Sequence, residues 1–134
     1  MHIVYLSLGT NLGDKEKNLT DAIRMIGQTV GTVVRQSSFL ATEPWGFDSK
    51  NGFLNCAICI NTTHSPLDVL HLTQEIERKM GRQSKSIDGI YHDRIIDIDI
   101  LLYDDLRMNT PLLTIPHPLM KKRDFVMIPL KEIQ

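Results

Sequence analysis

The stretch Arg94-Ile95-Ile96-Asp97-Ile98-Asp99-Ile100-Leu101-Leu102-Tyr103 constrains the fold of this chain more than any other. Its β-branched and apolar residues, ended by Asp104 and Asp105, read as a β-strand covered on both faces. Two carboxylates interrupt it. Side chains alternate along a strand, so Asp97 and Asp99 share one side, with Cα atoms roughly 6.5–7 Å apart. Burying carboxylates is unfavourable unless they are paired or hold a metal. The two therefore either meet Lys or Arg from a covering helix or grip one or two cations.

A chain of 134 residues fits one domain, 1–134, with a hydrophobic core that needs no staples. Lys plus Arg, at 15, nearly balance Asp plus Glu, at 16. The overall charge thus predicts neither a nucleic-acid coat nor a membrane-surface protein, and any electrostatic function is local. The start Met1-His2-Ile3-Val4-Tyr5-Leu6 has no basic region followed by an apolar core and cleavage site. No run approaches the roughly 18 apolar residues of a membrane span, which points to a cytoplasmic protein. Cys56 and Cys59 lie in an apolar strand-like run, where residues three apart point to opposite faces. They read as core thiols, because no second Cys/His pair with zinc spacing accompanies them.

Along the chain, His2 to Leu8 reads as a first strand and Gly9-Thr10-Asn11-Leu12-Gly13-Asp14 as a turn. Leu19, Ala22, Ile23 and Ile26 then predict a helix that stops at Gly27. The glycine loop lacks the Walker spacing and its Lys, which favours a packing turn over a phosphate loop. Val30 to Leu40 reads as a strand bent at Gly31 or at Ser37-Ser38. The loop after it, Ala41 to Gly52, carries the only Trp and is either a lid over a flat ligand or a plug on its own domain.

Phe53 to Thr62 is the next strand, with Leu54, Cys56, Ile58 and Ile60 on one face and Phe53, Asn55, Ala57 and Cys59 on the other. Phe53 beside Asn55 suits either an ordinary strand end or a planar heterocycle that needs stacking and edge hydrogen bonds. Ser65-Pro66-Leu67-Asp68 starts a helix that runs to about Met80 and stops at Gly81. Val69, Leu72, Ile76 and Met80 make its buried stripe. Gln74 and Glu77 share another face, as a solvated pair or a ligand contact. Arg82 to Asp93 has no periodicity and reads as a long mobile loop whose position favours a lid. Leu112 to Ile115 reads as a brief extended piece, Pro116-His117-Pro118 as a stiff turn, and Val126 to Leu130 as a last strand or edge.

The order is β-α-β-β-α-β plus a short C-terminal appendage. It predicts an α+β, ferredoxin-like βαββαβ fold, an antiparallel sheet with two helices on one face and the Asp-x-Asp strand in the centre. Two carboxylates, a loop with arginines and the Lys121-Lys122-Arg123 cluster are the parts needed to hold a magnesium nucleotide. Magnesium prefers a couple of carboxylates plus substrate phosphates. On these residues alone, a non-catalytic ligand-binding module and a structural subunit with a salt-bridged Asp pair stay open.

A set of motifs runs in order along nearly the whole chain. They are Gly9-Thr10-Asn11-Leu12-Gly13, Thr42-x-Pro44-x-Gly46, Phe53-Leu54-Asn55, Glu77-x-x-x-Gly81-Arg82, Asp93-Arg94-x-Ile96-Asp97-Ile98-Asp99-Ile100-Leu101 and Pro116-His117-Pro118-x-Met120-x-x-Arg123-x-Phe125. Through them the chain resembles the 6-hydroxymethyl-7,8-dihydropterin pyrophosphokinases of folate biosynthesis. The resemblance implies that ATP, as co-substrate, passes its β,γ-pyrophosphoryl unit to the pterin hydroxymethyl group and leaves as AMP. Asp97 and Asp99 would hold two Mg2+ ions, and Arg82 and Arg94 would close over the phosphates as catalytic residues. Gln74, Glu77, Arg82, Arg94, Ile100, Thr114, His117 and Arg123 fall where the family contacts ATP. Thr42, Pro44, Trp45, Phe53, Asn55 and Phe125 fall where it holds the pterin, Phe53 and Phe125 stacking on its ring. The expected partners are these small molecules, with no nucleic acid or membrane, and the protein is expected to be a monomer. Glu43, Phe53, Ser84 and Tyr91-His92-Asp93 depart from common family residues.

Overall fold

The computed structural model describes residues 1–42, 52–81 and 95–134. In chain order the elements are β1 (His2–Thr10), α1 (Lys15–Thr29), β2 (Thr32–Gln36), β3 (Leu40–Thr42), β4 (Phe53–Thr62), α2 (Pro66–Lys79) and β5 (Asp97–Tyr103). The short strands β6 (Met108–Asn109) and β7 (Thr114–Ile115), a 3-10 turn (Met120–Lys122) and α3 (Asp124–Ile133) complete the chain. The main sheet has the order β2-β4-β1-β5, with β3 also on β4, and every pairing is antiparallel. This is the ferredoxin-like order expected of βαββαβ.

β2 and β3 are two halves of one bent strand. At the bend, the Ser37 N–H donates to the Ala57 carbonyl at 2.9 Å, and the Ala57 N–H donates to Ser37 Oγ at 2.9 Å. A side chain thereby carries the ladder across the kink at the Ser37-Ser38 position read from the sequence. α1 runs through Gly27 to Thr29 and ends where the Val30 and Gly31 N–H groups both donate to the Ile26 carbonyl. The expected stop at Gly27 is thus two residues short of the last helical residue, Thr29. One glycine inside a long apolar-periodic helix weakens it without breaking it. α2 starts as predicted, with Ser65 Oγ accepting the Asp68 N–H at 3.2 Å, and Gly81 follows its end with φ +100°.

Two expectations are corrected. Among the described residues the Asp-x-Asp strand β5 pairs only with β1, so it lies at the edge of the described sheet and not in its centre. An apolar run reports that both faces are covered, whereas edge or centre is decided by backbone pairing. The second correction concerns Val126 to Leu130, which forms the helix α3 and not a strand. Its buried residues Val126, Pro129, Leu130 and Ile133 follow helical spacing. α3 covers the sheet face opposite α1 and α2.

The main core joins Val4, Leu6 and Leu8 of β1, Cys56, Ile58 and Ile60 of β4, and Ile98 and Ile100 of β5 to Leu19, Ala22 and Ile26 of α1 and Val69 and Ile76 of α2. Tyr5, Ala57, Cys59, Leu101 and Leu102 point the other way and pack with Val126, Leu130 and Ile133 of α3. A bulge makes this possible. Tyr5 pairs with Leu102 and Leu6 with Ile100, so Leu101 is an extra residue. Leu101 and Leu102 then both serve the α3 layer while Tyr103 returns to the main core. The two cysteines lie in different layers, and burial pushes the Cys56 thiol up to about 12. Both are core thiols, as the sequence suggested. Among the described residues no helix is long and apolar enough to cross a membrane.

Candidate functional site

Strand parity puts Phe53 and Asn55 of β4 on the α3 face of the sheet. Asn55 is buried, and its Nδ2 donates to Thr42 Oγ1 on β3 at 3.1 Å. That bond turns Oδ1 toward β1, where it lies over Gly9. A Cβ on Gly9 would come within 2.7 Å of Asn55 Oδ1 and 3.7 Å of the Phe53 ring. Glycine is therefore required at position 9 by close approach of a neighbouring side chain, a role that no turn signal in the sequence reveals. The turn after it is organised internally. Asn18 Nδ2 donates to Thr10 Oγ1 and to the Leu12 carbonyl, and Asp14 caps α1 through the Lys17 N–H. This is the packing-turn reading of the glycine loop.

Across β1 from Asn55 stands Asp97, because Gly9 is the register partner of both. Two strand spacings, about 10 Å, separate Asn55 from Asp97. One step along, Ser7 lies between Ala57 and Asp99. The floor between the amide and the carboxylates is thus built of Gly9, Ser7 and Ala57, all small and all buried. Asp97 and Asp99 are half-buried and alternate with Ile98 and Ile100 in the core, so they share a face as expected. Among the described residues no three His, Cys, Asp or Glu side chains gather into a metal cage. An all-oxygen pair of this kind fits magnesium completed by substrate phosphates better than a closed zinc site.

The edge position of β5 leaves one row of its backbone groups facing away from β1. Glu77 of α2 takes one of them, its Oε2 accepting the Ile98 N–H at 2.8 Å. Glu77 is only 4% exposed, so the solvated-pair reading does not hold for it. It belongs to the buried stripe Val69, Thr73, Ile76 and Glu77, while Gln74 on the same helix is half-buried. Because alternate residues of an antiparallel edge face the same way, Ile100 presents its N–H and C=O on the same side as Ile98. Near that edge, Thr114 of β7 borders a shallow groove of about 300 Å³ formed with Arg107, Met108, Asn109, Ile115 and Pro116.

His117, Arg123 and Phe125 approach from the C-terminal segment. The His117 N–H donates to the Leu101 carbonyl at 3.0 Å, and its Nδ1 accepts the Leu119 N–H at 3.2 Å. With Nδ1 an acceptor, the neutral ring carries its proton on Nε2. Burial, and then the nearby Arg123 cation, hold the His117 pKa below its usual value, opposed by the negative charge of Asp97. The Arg123 guanidinium stands 5.7 Å from the centre of the Phe125 ring. Phe125 itself is half-buried at the start of α3. Arg123 and Asp97, which lie on different elements, both act on the His117 ring.

The structure thus brings Thr42, Phe53 and Asn55 to one end of the α3 face and Asp97 and Asp99 beside them. It sets His117 and Arg123 near Asp97, and Gln74, Glu77, Ile100 and Thr114 around the outer edge of β5. Arg82, Arg94, Pro44 and Trp45 lie outside the described residues, as do Glu43, Ser84 and Tyr91-His92-Asp93.

A family model described as 7,8-dihydro-6-hydroxymethylpterin-pyrophosphokinase matches residues 5–134. A 2-amino-4-hydroxy-6-hydroxymethyldihydropteridine pyrophosphokinase of Porphyromonas gingivalis is 49% identical over 99% of this chain and 91% of its own length. The protein of that name from Bacillus subtilis is 40% identical over 98% of this chain and 78% of its own. A solved HPPK-DHPS in complex with substrates superposes with a TM-score of 0.77 at 14% identity, over 98% of this chain and 40% of that one. Wild-type HPPK-DHPS of Plasmodium falciparum gives 0.75 at 15% identity, over 98% and 40%. This chain therefore spans about two fifths of those solved chains, whose likeness shows the fold. With a family model matching all but its first four residues, and relatives this similar, the chain belongs to the 7,8-dihydro-6-hydroxymethylpterin-pyrophosphokinase family.

Proposed function

We propose that the protein, a cytoplasmic monomer, moves the β,γ-pyrophosphoryl unit of ATP to the hydroxymethyl oxygen of 6-hydroxymethyl-7,8-dihydropterin and releases AMP. A new bond joins that oxygen to the β-phosphorus. The bond from the β-phosphorus to the bridging oxygen breaks, AMP keeps that oxygen, and the hydroxyl proton leaves. One observation carries this reading: Asn55 and Asp97 are both register partners of side-chain-free Gly9, on one face of the sheet. A flat ring held at Asn55 would thus extend its substituent toward the carboxylates.

Each group has a role on this reading. Asn55 and Thr42, with backbone near Trp45 and Pro44, meet the polar edge of the pterin, and Phe53 and Phe125 stack on its faces. Gln74, Glu77 and Thr114 surround the nucleotide, and the outward N–H and C=O of Ile100 can pair with the edge of a planar base. His117 offers Nε2–H, and Arg123 its guanidinium, to phosphate oxygens. Asp97 and Asp99 would hold two magnesium ions, which when bound neutralise phosphate charge and lower the pKa of the attacking hydroxyl. Arg82 and Arg94 stabilise charge on the bridging and leaving oxygens. Transfer then depends on positioning and electrostatics, without a protein nucleophile.

Incubation with ATP, magnesium and the pterin tests the proposal. AMP forming only when the pterin is present supports it, and no AMP with all three present overturns it.

A further inference from the structure

A cation at the first position of a helix opposes the helix dipole, which favours anions there. Lys15 occupies that position in α1, directly after the Asp14 cap. Its Nζ instead reaches to the residue just before β4 and donates to the Gly52 carbonyl at 3.0 Å, in a partly buried contact. Gly52 precedes Phe53, and it is pressed so closely on the neighbouring strand that a Cβ there would come within 2.6 Å of the Thr42 carbonyl oxygen. Thr42 is the register partner of Phe53 and the hydrogen-bond acceptor of Asn55. Asn55 in turn rests on Gly9, six residues before Lys15. These contacts close a ring through Gly9, Lys15, Gly52, Thr42 and Asn55.

We propose that Lys15 is a positioning residue for the pterin pocket, its ammonium fixing the start of β4 and thereby the placement of Phe53 and Asn55. The inference rests on the reading of Phe53 and Asn55 as pterin contacts. Lys15 touches no reacting atom, and its effect passes through Gly52 and Thr42. Without its charge-assisted bond, the Gly52 carbonyl is free to move and the stacking ring and edge amide lose their shared reference. Tight binding needs both groups placed together, because each imperfectly paired polar contact lowers affinity.

The test is titration of the full chain with 6-hydroxymethylpterin, in magnesium and α,β-methylene ATP, whose methylene bridge prevents transfer. Lys15→Met should weaken pterin binding about tenfold, the effect of one lost charged hydrogen bond, and Lys15→Arg should restore it to within about threefold. Affinity for the ATP analogue should stay within about twofold of the parent. A lower melting temperature with parent-like pterin affinity would mean a merely structural role and overturn the inference. Should Lys15→Met not fold, Lys15→Gln, too short to reach Gly52, gives the same comparison. A parent that does not bind the pterin overturns the pterin reading itself, and this inference with it. A parent that binds the pterin, with Lys15→Met binding it equally well, overturns this inference alone.

Discussion

Glu77 Oε2 accepts the Ile98 N–H at 2.8 Å, so a buried carboxylate on α2 holds the strand residue that stands between Asp97 and Asp99. Glu77→Leu leaves that backbone N–H buried without its acceptor and should destabilise the protein by about 2–3 kcal/mol. Glu77→Gln keeps an acceptor and should lose about half as much. At roughly 4 °C per kcal/mol for a domain of this size, the difference is visible in thermal melts. Equal melting of Glu77→Leu and the parent would remove this bond from the account.

Gly9→Ala should disturb Asn55 specifically. The added Cβ would lie 2.7 Å from Asn55 Oδ1, and the amide must move because its Nδ2 is already tied to Thr42. Pterin affinity should fall about tenfold, the effect of one misplaced hydrogen bond in a buried site. In an Asn55→Ala background the same substitution should have little further effect. A double-mutant cycle by calorimetry checks this, and additive losses would contradict it.

The gap between what sequence and structure reveal is sharpest at these two sites. Glu77 falls on the Val69, Thr73, Ile76 stripe by helical spacing, yet a carboxylate among apolar positions does not announce an edge strand waiting to be capped. Gly9 has no side chain, and its reason is a residue 46 positions away. The two-layer alternation of β4, the helix starts at Ser65 and after Gly13, and the strand bearing Asp97 and Asp99 were legible because period and capping are local. The edge position of β5 was not, since pairing partners are nonlocal. α3 is not legible as a helix because a β-branched run with an internal proline looks unlike one until Ile133 is included in the period.

His117 should make stability depend on acidity. Its folded pKa lies below its ordinary 6.5, chiefly through burial. As pH falls below 6.5 the unfolded chain gains a proton that the folded ring resists, so stability is lost through that window until the folded pKa is passed. His117→Gln should flatten the slope of unfolding free energy between pH 7.5 and 5.5, measured by urea denaturation. An unchanged slope would mean that the ring titrates normally.

Phe125→Ala removes one proposed stacking face and the ring beneath Arg123. Pterin affinity should drop by about tenfold, from a lost aromatic contact of order 0.5–1.5 kcal/mol plus its buried area, with smaller change in ATP affinity. Arg82→Ala and Arg94→Ala should instead slow turnover at saturating substrate while leaving pterin affinity nearly intact. Parent turnover rates in either arginine variant would end its catalytic assignment.

The most direct measurement is AMP production from ATP and magnesium, with and without 6-hydroxymethyl-7,8-dihydropterin, in the parent and in Asp97→Ala. The account predicts pterin-dependent AMP from the parent and a loss of at least about a thousandfold in kcat for the variant, whose far-ultraviolet circular dichroism stays that of the parent. Parent-like AMP formation by a folded Asp97→Ala protein would contradict it.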